Sequence, residues 1–190
     1  NHWWLLSVLA IVTVGGVSYF SASRIGFVNN DWYYLDQVAR LNANDYLALY
    51  FDPRLQSGWY RPLFGMLYWI VYAFWGASTA AHHWAHVVLH IANGLLLFAL
   101  IRRFTFTVRL ALLASLIYVG MPVYSKAVYW ISGPDPLSVF FGLIALWCWT
   151  NFLQREKRRD YVFAFAGFAL ALITKEASIT IPAVFFLADR

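Results

Sequence analysis

The chain has 190 residues, of which 62% are hydrophobic and only 12% are charged. Soluble domains have about 45–50% apolar and about 25% charged residues, so this composition excludes a soluble fold. The net charge of +5 comes from basic residues that form no continuous face, which argues against nucleic-acid binding. The single cysteine, Cys148, excludes a disulfide framework and a cysteine metal site.

Six apolar segments predict an all-α fold, a polytopic transmembrane helix bundle. A spanning helix needs about 20 apolar residues, with roughly 17–25 allowed. The segments cover residues 3–20, 82–101, 108–120, 137–153, 161–173 and 179–187. The third is short, and we expect it to extend to Tyr124.

Residues 62–75 form a further apolar run whose length is nearer to that of an interfacial or re-entrant segment than to that of a span. If it crossed the bilayer, the later basic clusters would lie on the side of Asp31. If it lies in the interface, both clusters fall on the side of the N-terminus, as the positive-inside rule requires. These clusters are Arg102/Arg103 and Arg155, Lys157, Arg158, Arg159.

We therefore predict one transmembrane domain over residues 1–190, with the N-terminus in the cytoplasm. The first span takes residues 1–20, an outer loop takes 21–81, and five further spans take 82–190. Within the loop, residues 31–49 read as one amphipathic interfacial helix with Asn30 as its N-cap. Asp52-Pro53 and Ser57-Gly58 mark turns.

The outer gaps between the spans carry the charges suited to chemistry. A carboxylate at Asp31 has the place and type of a general base, and we expect it to open onto a cavity between the spans; it also suits the first turn of a surface helix. Arg61 offers a planar fork for phosphate oxygens or an anchor to lipid headgroups. Lys175 and Glu176 form an adjacent pair at a membrane boundary.

Two further groups of polar residues allow alternative interpretations. Asp135, in a Ser-Gly-Pro-Asp-Pro turn, is a candidate for the site or a cap of the next helix, and Lys126 precedes that turn. One helix face carries His82, His86, His90 and Asn93. This spacing suits metal chelation, but it lacks an acidic ligand and favours interhelical hydrogen bonds.

The order of these motifs resembles the membrane half of GT-C glycosyltransferases, in the protein O-mannosyltransferase-like branch. The resemblance runs from about Asp31 to Pro182. It rests on Asn-Asn-Asp, Tyr-Arg-Pro-Leu, Phe-Trp-Gly, His-x-x-x-His-x-x-Asn, Trp-Ile-Ser-Gly-x-Asp and Thr-Lys-Glu.

The resemblance implies transfer of a sugar from a polyprenyl-phosphate carrier to a hydroxyl at the outer membrane face. It implies that Asp31 is the general base and that Arg61 and Lys175 neutralise the carrier phosphate. We predict substrate-binding roles also for Asp135, Glu176 and His90. No cofactor or metal is predicted; the expected partners are the lipid-linked donor, membrane lipids and subunits of a membrane complex.

The chain departs from the family pattern at several positions. Asn30 stands where many relatives have a second acid, Pro134 where Arg is usual, and Lys126 where Glu is frequent. The family also needs more than six spans, so the chain reads as a fragment of a longer enzyme or as a reduced relative. The alternative is a non-catalytic transmembrane subunit of a larger complex. The membrane is the plasma or inner membrane in a bacterium and the endoplasmic reticulum in a eukaryote.

Overall fold

The computed structural model describes residues 2–55, 58–105, 107–121 and 128–189. Within these ranges every regular element is helical, so the predicted all-α class is confirmed. The helices are α1 (His2–Ser18), α2 (Asp31–Arg40), α3 (Ala43–Phe51), α4 (Pro62–Trp75), α5 (Thr79–Thr105), α6 (Val108–Gly120), α7 (Asp135–Arg155), α8 (Arg158–Thr174) and α9 (Ile181–Ala188). Lys126 lies outside the described residues.

Three helical stretches in the described residues are long and apolar enough to cross a membrane. These are His2–Arg24, which joins α1 to a following 3-10 turn, then Thr79–Thr105 and Asp135–Arg155. The last helical residue of α6 is Gly120, and Met121 has extended backbone; residues 122–124 of the expected extension lie outside the described residues. The composition and these helices identify an integral membrane protein.

The outer segment contains two helices where one was predicted. The prediction of one continuous helix over residues 31–49 is wrong. The chain leaves helical geometry at Leu41, the residue with extended backbone that follows α2. Asn42 then starts α3, and its side-chain oxygen accepts the Asp45 N–H at 3.0 Å. Asn30 has the N-cap position of α2 but makes no side-chain capping bond.

Helix α4 begins and ends where its sequence indicates. Pro62 occupies its first turn, where a missing N–H costs nothing. Gly76 follows its last turn with φ of 57°, a backbone geometry that favours glycine. With α2 and α3, α4 builds a small core centred on Tyr46, Tyr50 and Phe64.

Gly65 lets α4 approach α3 closely. A Cβ at this position would lie 2.2 Å from the Tyr50 ring, and the Tyr46 hydroxyl donates to the Gly65 carbonyl at 3.2 Å. We expect Gly65→Ala to destabilise this core by about 1–3 kcal/mol, because the ring must move. The measurement is the unfolding midpoint in detergent.

The matched control is Gly16→Ala, another helical glycine, where an added Cβ meets nothing within 4 Å. We expect it to be neutral or slightly stabilising, since alanine restricts the unfolded chain. Equal midpoints for Gly65→Ala and wild type would contradict the close packing of α3 on α4.

Contacts between helices define two ends of the bundle. At the end called here the basic end, Arg103 of α5 donates to Asn151 and Gln154 in the last turns of α7. At the other end, called the polar end, Asn93 of α5 donates to Pro136 in the first turn of α7. Helices α5 and α7 therefore run in the same direction, from the polar end to the basic end.

Helices α1 and α4 can be placed relative to these ends. Tyr19, just after α1, donates to the Met121 carbonyl that follows α6, so α1 runs towards the polar end. Arg61 precedes α4 and binds Glu176, and Tyr68 within α4 donates to the Asp31 carbonyl. Because α4 is followed at once by the start of α5, both of its termini lie at the polar end.

Candidate functional site

Asp31 is fully buried, with 0% of its surface exposed. One carboxylate oxygen, Oδ2, accepts the Val28 N–H at 2.9 Å, and the other, Oδ1, accepts the Ser132 N–H at 2.8 Å. The side chain therefore joins the outer segment to the turn that precedes α7. The expectation that Asp31 opens onto a cavity is wrong for this conformation, because both oxygens are directed at backbone donors.

The turn that Asp31 binds is also held by α5. The His86 Nε2 atom lies 3.1 Å from the Gly133 carbonyl oxygen, and the Nδ1 atom lies 3.2 Å from the His82 carbonyl oxygen. A neutral imidazole has one N–H and donates to one of these two carbonyls. Asn93 Nδ2 donates to the Pro136 carbonyl at 2.8 Å. The prediction of interhelical hydrogen bonds from this helix face is confirmed for Asn93, whose partner is in the first turn of α7, whereas His86 contacts the turn before α7. Residues 132–136 are thus fixed from two sides.

Four charged side chains form what we call the ion-pair cluster. Arg61 binds Glu176 in a two-pronged contact, with Nη2 2.7 Å from Oε1 and Nε 3.2 Å from Oε2. Lys175 Nζ contacts Asp135 Oδ1 directly. Because Lys175 and Glu176 are neighbours in the chain, the two pairs lie side by side. The structure thereby gathers four of the residues predicted from separate loops.

Asp135 does not cap α7, so that alternative is wrong. Pro134 holds the N-cap position, and Asp135 is the first helical residue. Its carboxylate is used instead by Lys175, which follows the last turn of α8. The pair therefore ties the start of one long helix to the end of the next.

Two cavities adjoin the ion-pair cluster. The first, called here the apolar groove, has a volume of about 330 Å³ and lies between α7 and α9. One part of the groove wall is polar and consists of Asp135, Lys175, Ser138 and Ser178. The rest of the wall includes Val139, Leu143, Leu146, Ile181 and Val184. The two serine hydroxyls lie 2.6 Å apart.

The second cavity, called here the aromatic cavity, has a volume of about 390 Å³ and lies among α2, α3 and the residues before α4. Its described lining includes Asn30, Tyr33, Tyr34, Gln37, Tyr50, Trp59 and Arg61. The Arg61 guanidinium lies over the Trp59 ring, 4.8 Å from its centroid. Because Arg61 lines this cavity and Lys175 lines the apolar groove, the ion-pair cluster stands between the two.

The Arg61–Glu176 pair is unequally exposed. The Arg61 side chain is 15% exposed and that of Glu176 is 51% exposed. The hydrogen bonds from Arg61 lower the pKa of Glu176 below its ordinary value. A carboxylate that is more acidic in the fold contributes stability above its unfolded pKa and loses it as the pH falls.

We therefore expect acid to weaken the contact between α4 and the segment that contains Glu176. The loss should begin below pH of about 4.3, the ordinary glutamate pKa, and should amount to less than about 1 kcal/mol because Glu176 is half exposed. The test is the unfolding midpoint, measured at intervals of roughly 0.5 pH units from pH 6 down to pH 3. Glu176→Gln should flatten the part of the acid dependence due to this residue. If the unfolding midpoints of wild type and Glu176→Gln depend on pH in the same way, the Arg61–Glu176 pair contributes nothing to the acid dependence.

His90 lies apart from the ion-pair cluster, within the bundle. It is one helical turn beyond His86 on α5, and it is buried. Its ring centroid lies 5.2 Å from that of Tyr19 and 4.7 Å from that of Tyr118. Its predicted substrate-binding role stays a prediction, and its observed contacts are those of a packed aromatic ring.

Fold and site define an integral membrane protein in which the four residues of the ion-pair cluster meet at the polar end of a helix bundle, beside an apolar groove. Residues 60–189 match the family model described as dolichyl-phosphate-mannose-protein mannosyltransferase. The chain belongs to this family and is a membrane glycosyltransferase-like protein. The match begins just before Arg61 and includes the whole ion-pair cluster.

A protein of Aquifex aeolicus (strain VF5), described as uncharacterized, is 28% identical over 165 residues. The match covers 83% of this chain and 32% of that protein. The chain thus spans about a third of the length of the curated relative that it matches. No solved structure matches the chain.

Proposed function

We propose that this chain belongs to an enzyme that transfers a sugar from a polyprenyl-phosphate carrier to a hydroxyl acceptor at the outer membrane face. The observation that carries the proposal is the apolar groove, which has Lys175 and Asp135 in the polar part of its wall. A polyprenyl chain needs an apolar path, and its phosphate needs cations where that path meets water. Arg61 supplies a second cation beside Lys175, through its pair with Glu176.

The ion pairs suit a site that binds and then releases a phosphate. Each cation already has a carboxylate partner, so no unpaired charge is left when the site is empty. A phosphate offers the same two-oxygen geometry to Arg61 that Glu176 offers, and can replace it. The carboxylates of Asp135 and Glu176 then take the cations back when the lipid phosphate leaves.

Asp31 is the proposed general base. It takes the acceptor hydroxyl proton while the acceptor oxygen attacks the anomeric carbon. The bond from that carbon to the phosphate oxygen breaks, and the polyprenyl phosphate leaves with the electron pair. Because Asp31 is buried here, the role requires that Ser132 N–H moves off Oδ1 when substrates bind. The turn at residues 132–136 is thus the element that must shift.

The proposed topology has six spans, with the N-terminus and the basic end in the cytoplasm and α4 lying along the outer face. The presence of both α4 termini at the polar end supports it. We expect Ser78→Cys, in a Cys148→Ala background, to be labelled from the outside by a membrane-impermeant maleimide in intact cells. Ser78 lies in the exposed connection between α4 and α5.

Thr107→Cys in the same background is the matched control. Thr107 is also exposed but lies between α5 and α6 at the basic end. It should be labelled only after permeabilisation. The reverse labelling pattern would overturn the six-span topology.

Purified full-length protein in liposomes, given a panel of polyprenyl-phosphate-linked hexoses, tests the function. The expected result is release of polyprenyl phosphate that depends on a hydroxyl acceptor. If the protein neither binds nor consumes any donor of the panel, the non-catalytic subunit becomes the better interpretation.

A further inference from the structure

The aromatic cavity combines flat rings with amide groups. Tyr33 and Trp59 present exposed rings to it, and Tyr34 and Tyr50 present more buried ones. Gln37 contributes an amide whose oxygen accepts the Tyr50 hydroxyl at 2.9 Å. Arg61 is the one charged residue in the described lining, and Glu176 already binds it.

This lining is suited to a neutral, hydroxyl-rich ring. The C–H bonds on the face of a pyranose carry partial positive charge and pack on the negative faces of aromatic rings. Vicinal hydroxyls pair with amide groups, which both donate and accept. The volume of about 390 Å³ lies within the range of small-molecule sites, about 300–1,000 Å³.

We propose that the aromatic cavity binds the acceptor and that the acceptor is a saccharide, so that the enzyme extends a glycan. The inference rests on the proposed sugar transfer and specifies its acceptor class. Asn30, in the cavity wall, directly precedes Asp31, and Arg61 joins the wall to the ion-pair cluster. A sugar in this cavity would therefore contact the residue that precedes the proposed base and a cation of the proposed phosphate site. Its hydroxyl reaches the buried Asp31 only when the turn at residues 132–136 shifts.

The hydrogen-bonding groups of the cavity keep their neutral forms over a wide pH range. Burial raises the pKa of Tyr34, and burial also raises that of Tyr50. Both phenols therefore remain hydroxyl donors well above neutral pH. Sugar hydroxyls, which accept as well as donate, pair with such donors.

The test is saturation-transfer NMR on the full-length protein in nanodiscs. The probes are methyl α-mannopyranoside, methyl α-glucopyranoside and maltose, with a serine- and threonine-containing tetrapeptide as the competing acceptor class. We expect at least one saccharide to receive saturation and the peptide to leave its signal unchanged. Tyr33→Ala should weaken saccharide binding about tenfold, as expected for a lost aromatic contact.

Two more variants make the result specific. Gln37→Glu keeps the oxygen that accepts from Tyr50 but removes the amide donors, so it should weaken binding while the fold is retained. Trp32→Ala is the control, because Trp32 is as exposed as Tyr33, at 59% each, and packs on Phe27 instead. It should bind like wild type.

Donor consumption is measured on the same wild-type sample. Donor consumption without saccharide binding, or binding that Tyr33→Ala and Gln37→Glu leave unchanged, overturns the saccharide proposal and leaves sugar transfer standing. Displacement of the saccharide by the tetrapeptide also overturns it, in favour of a protein acceptor. Absence of donor consumption counts against the proposed function itself, whichever ligand binds.

Discussion

Replacing Asp31 by Asn is expected to cause the largest loss of sugar transfer of any single substitution in the chain. A missing general base lowers the rate by about 10²–10⁴-fold. The fold is also affected, because the two oxygens accept from different donors, Val28 and Ser132. An amide has one accepting oxygen, so one buried N–H would face an NH₂ group, at a cost of about 1–3 kcal/mol.

Both effects must therefore be measured on one preparation. We expect Asp31→Asn to lower the unfolding midpoint moderately, to keep donor binding, and to lose transfer by far more than the unfolded fraction explains. Asp36→Asn is the matched control, because Asp36 is an exposed acid of the same helix and pairs with exposed Arg40. Near-full transfer by Asp31→Asn would remove Asp31 from the chemistry.

Arg61→Lys is expected to give the second-largest loss, although it keeps the charge. Lysine cannot reproduce the two-pronged contact of the guanidinium or its position over the Trp59 ring. Hydrogen bonds to charged groups contribute about 1.5–3 kcal/mol, so transfer should fall roughly 10- to 100-fold. Rates with a saturating lipid donor test this.

The control for Arg61→Lys is the same exchange at Arg54. Arg54 also forms a two-pronged pair, with Asp52, but its side chain is 88% exposed and does not line the apolar groove or the aromatic cavity. Arg54→Lys should transfer sugar within about twofold of wild type, since exposed pairs contribute little. Equal losses in both variants would indicate a general effect on the outer segment.

The helices were largely predictable because apolar runs, Pro and Gly are local signals. Pro62 and Gly76 mark the bounds of α4, whose residues are those of the apolar run in the sequence. The break between α2 and α3 was missed, although Asn42 carries the capping signal, because the apolar spacing continues through it. A single periodic pattern can hide a change of helix direction.

The gathering of charges at the polar end was predictable, but their partners were not. Alternation of basic and acidic gaps placed Arg61, Asp135 and Glu176 at one end of the spans. Which carboxylate binds which cation depends on how the long helices are packed, a tertiary property with no local signal. The same holds for Asp31, whose burial depends on a backbone N–H about 100 residues away.

The central claim is that the polar end of the bundle binds a polyprenyl phosphate through the apolar groove. Photocrosslinking tests it most directly, with a benzophenone amino acid at Leu143 in the groove and, for comparison, at Leu9 on the exposed face of α1. We predict that Leu143 crosslinks a radiolabelled polyprenyl phosphate strongly, that Leu9 does so weakly, and that Lys175→Ala suppresses the Leu143 signal. Equal labelling at both positions, unaffected by Lys175→Ala, would contradict the account.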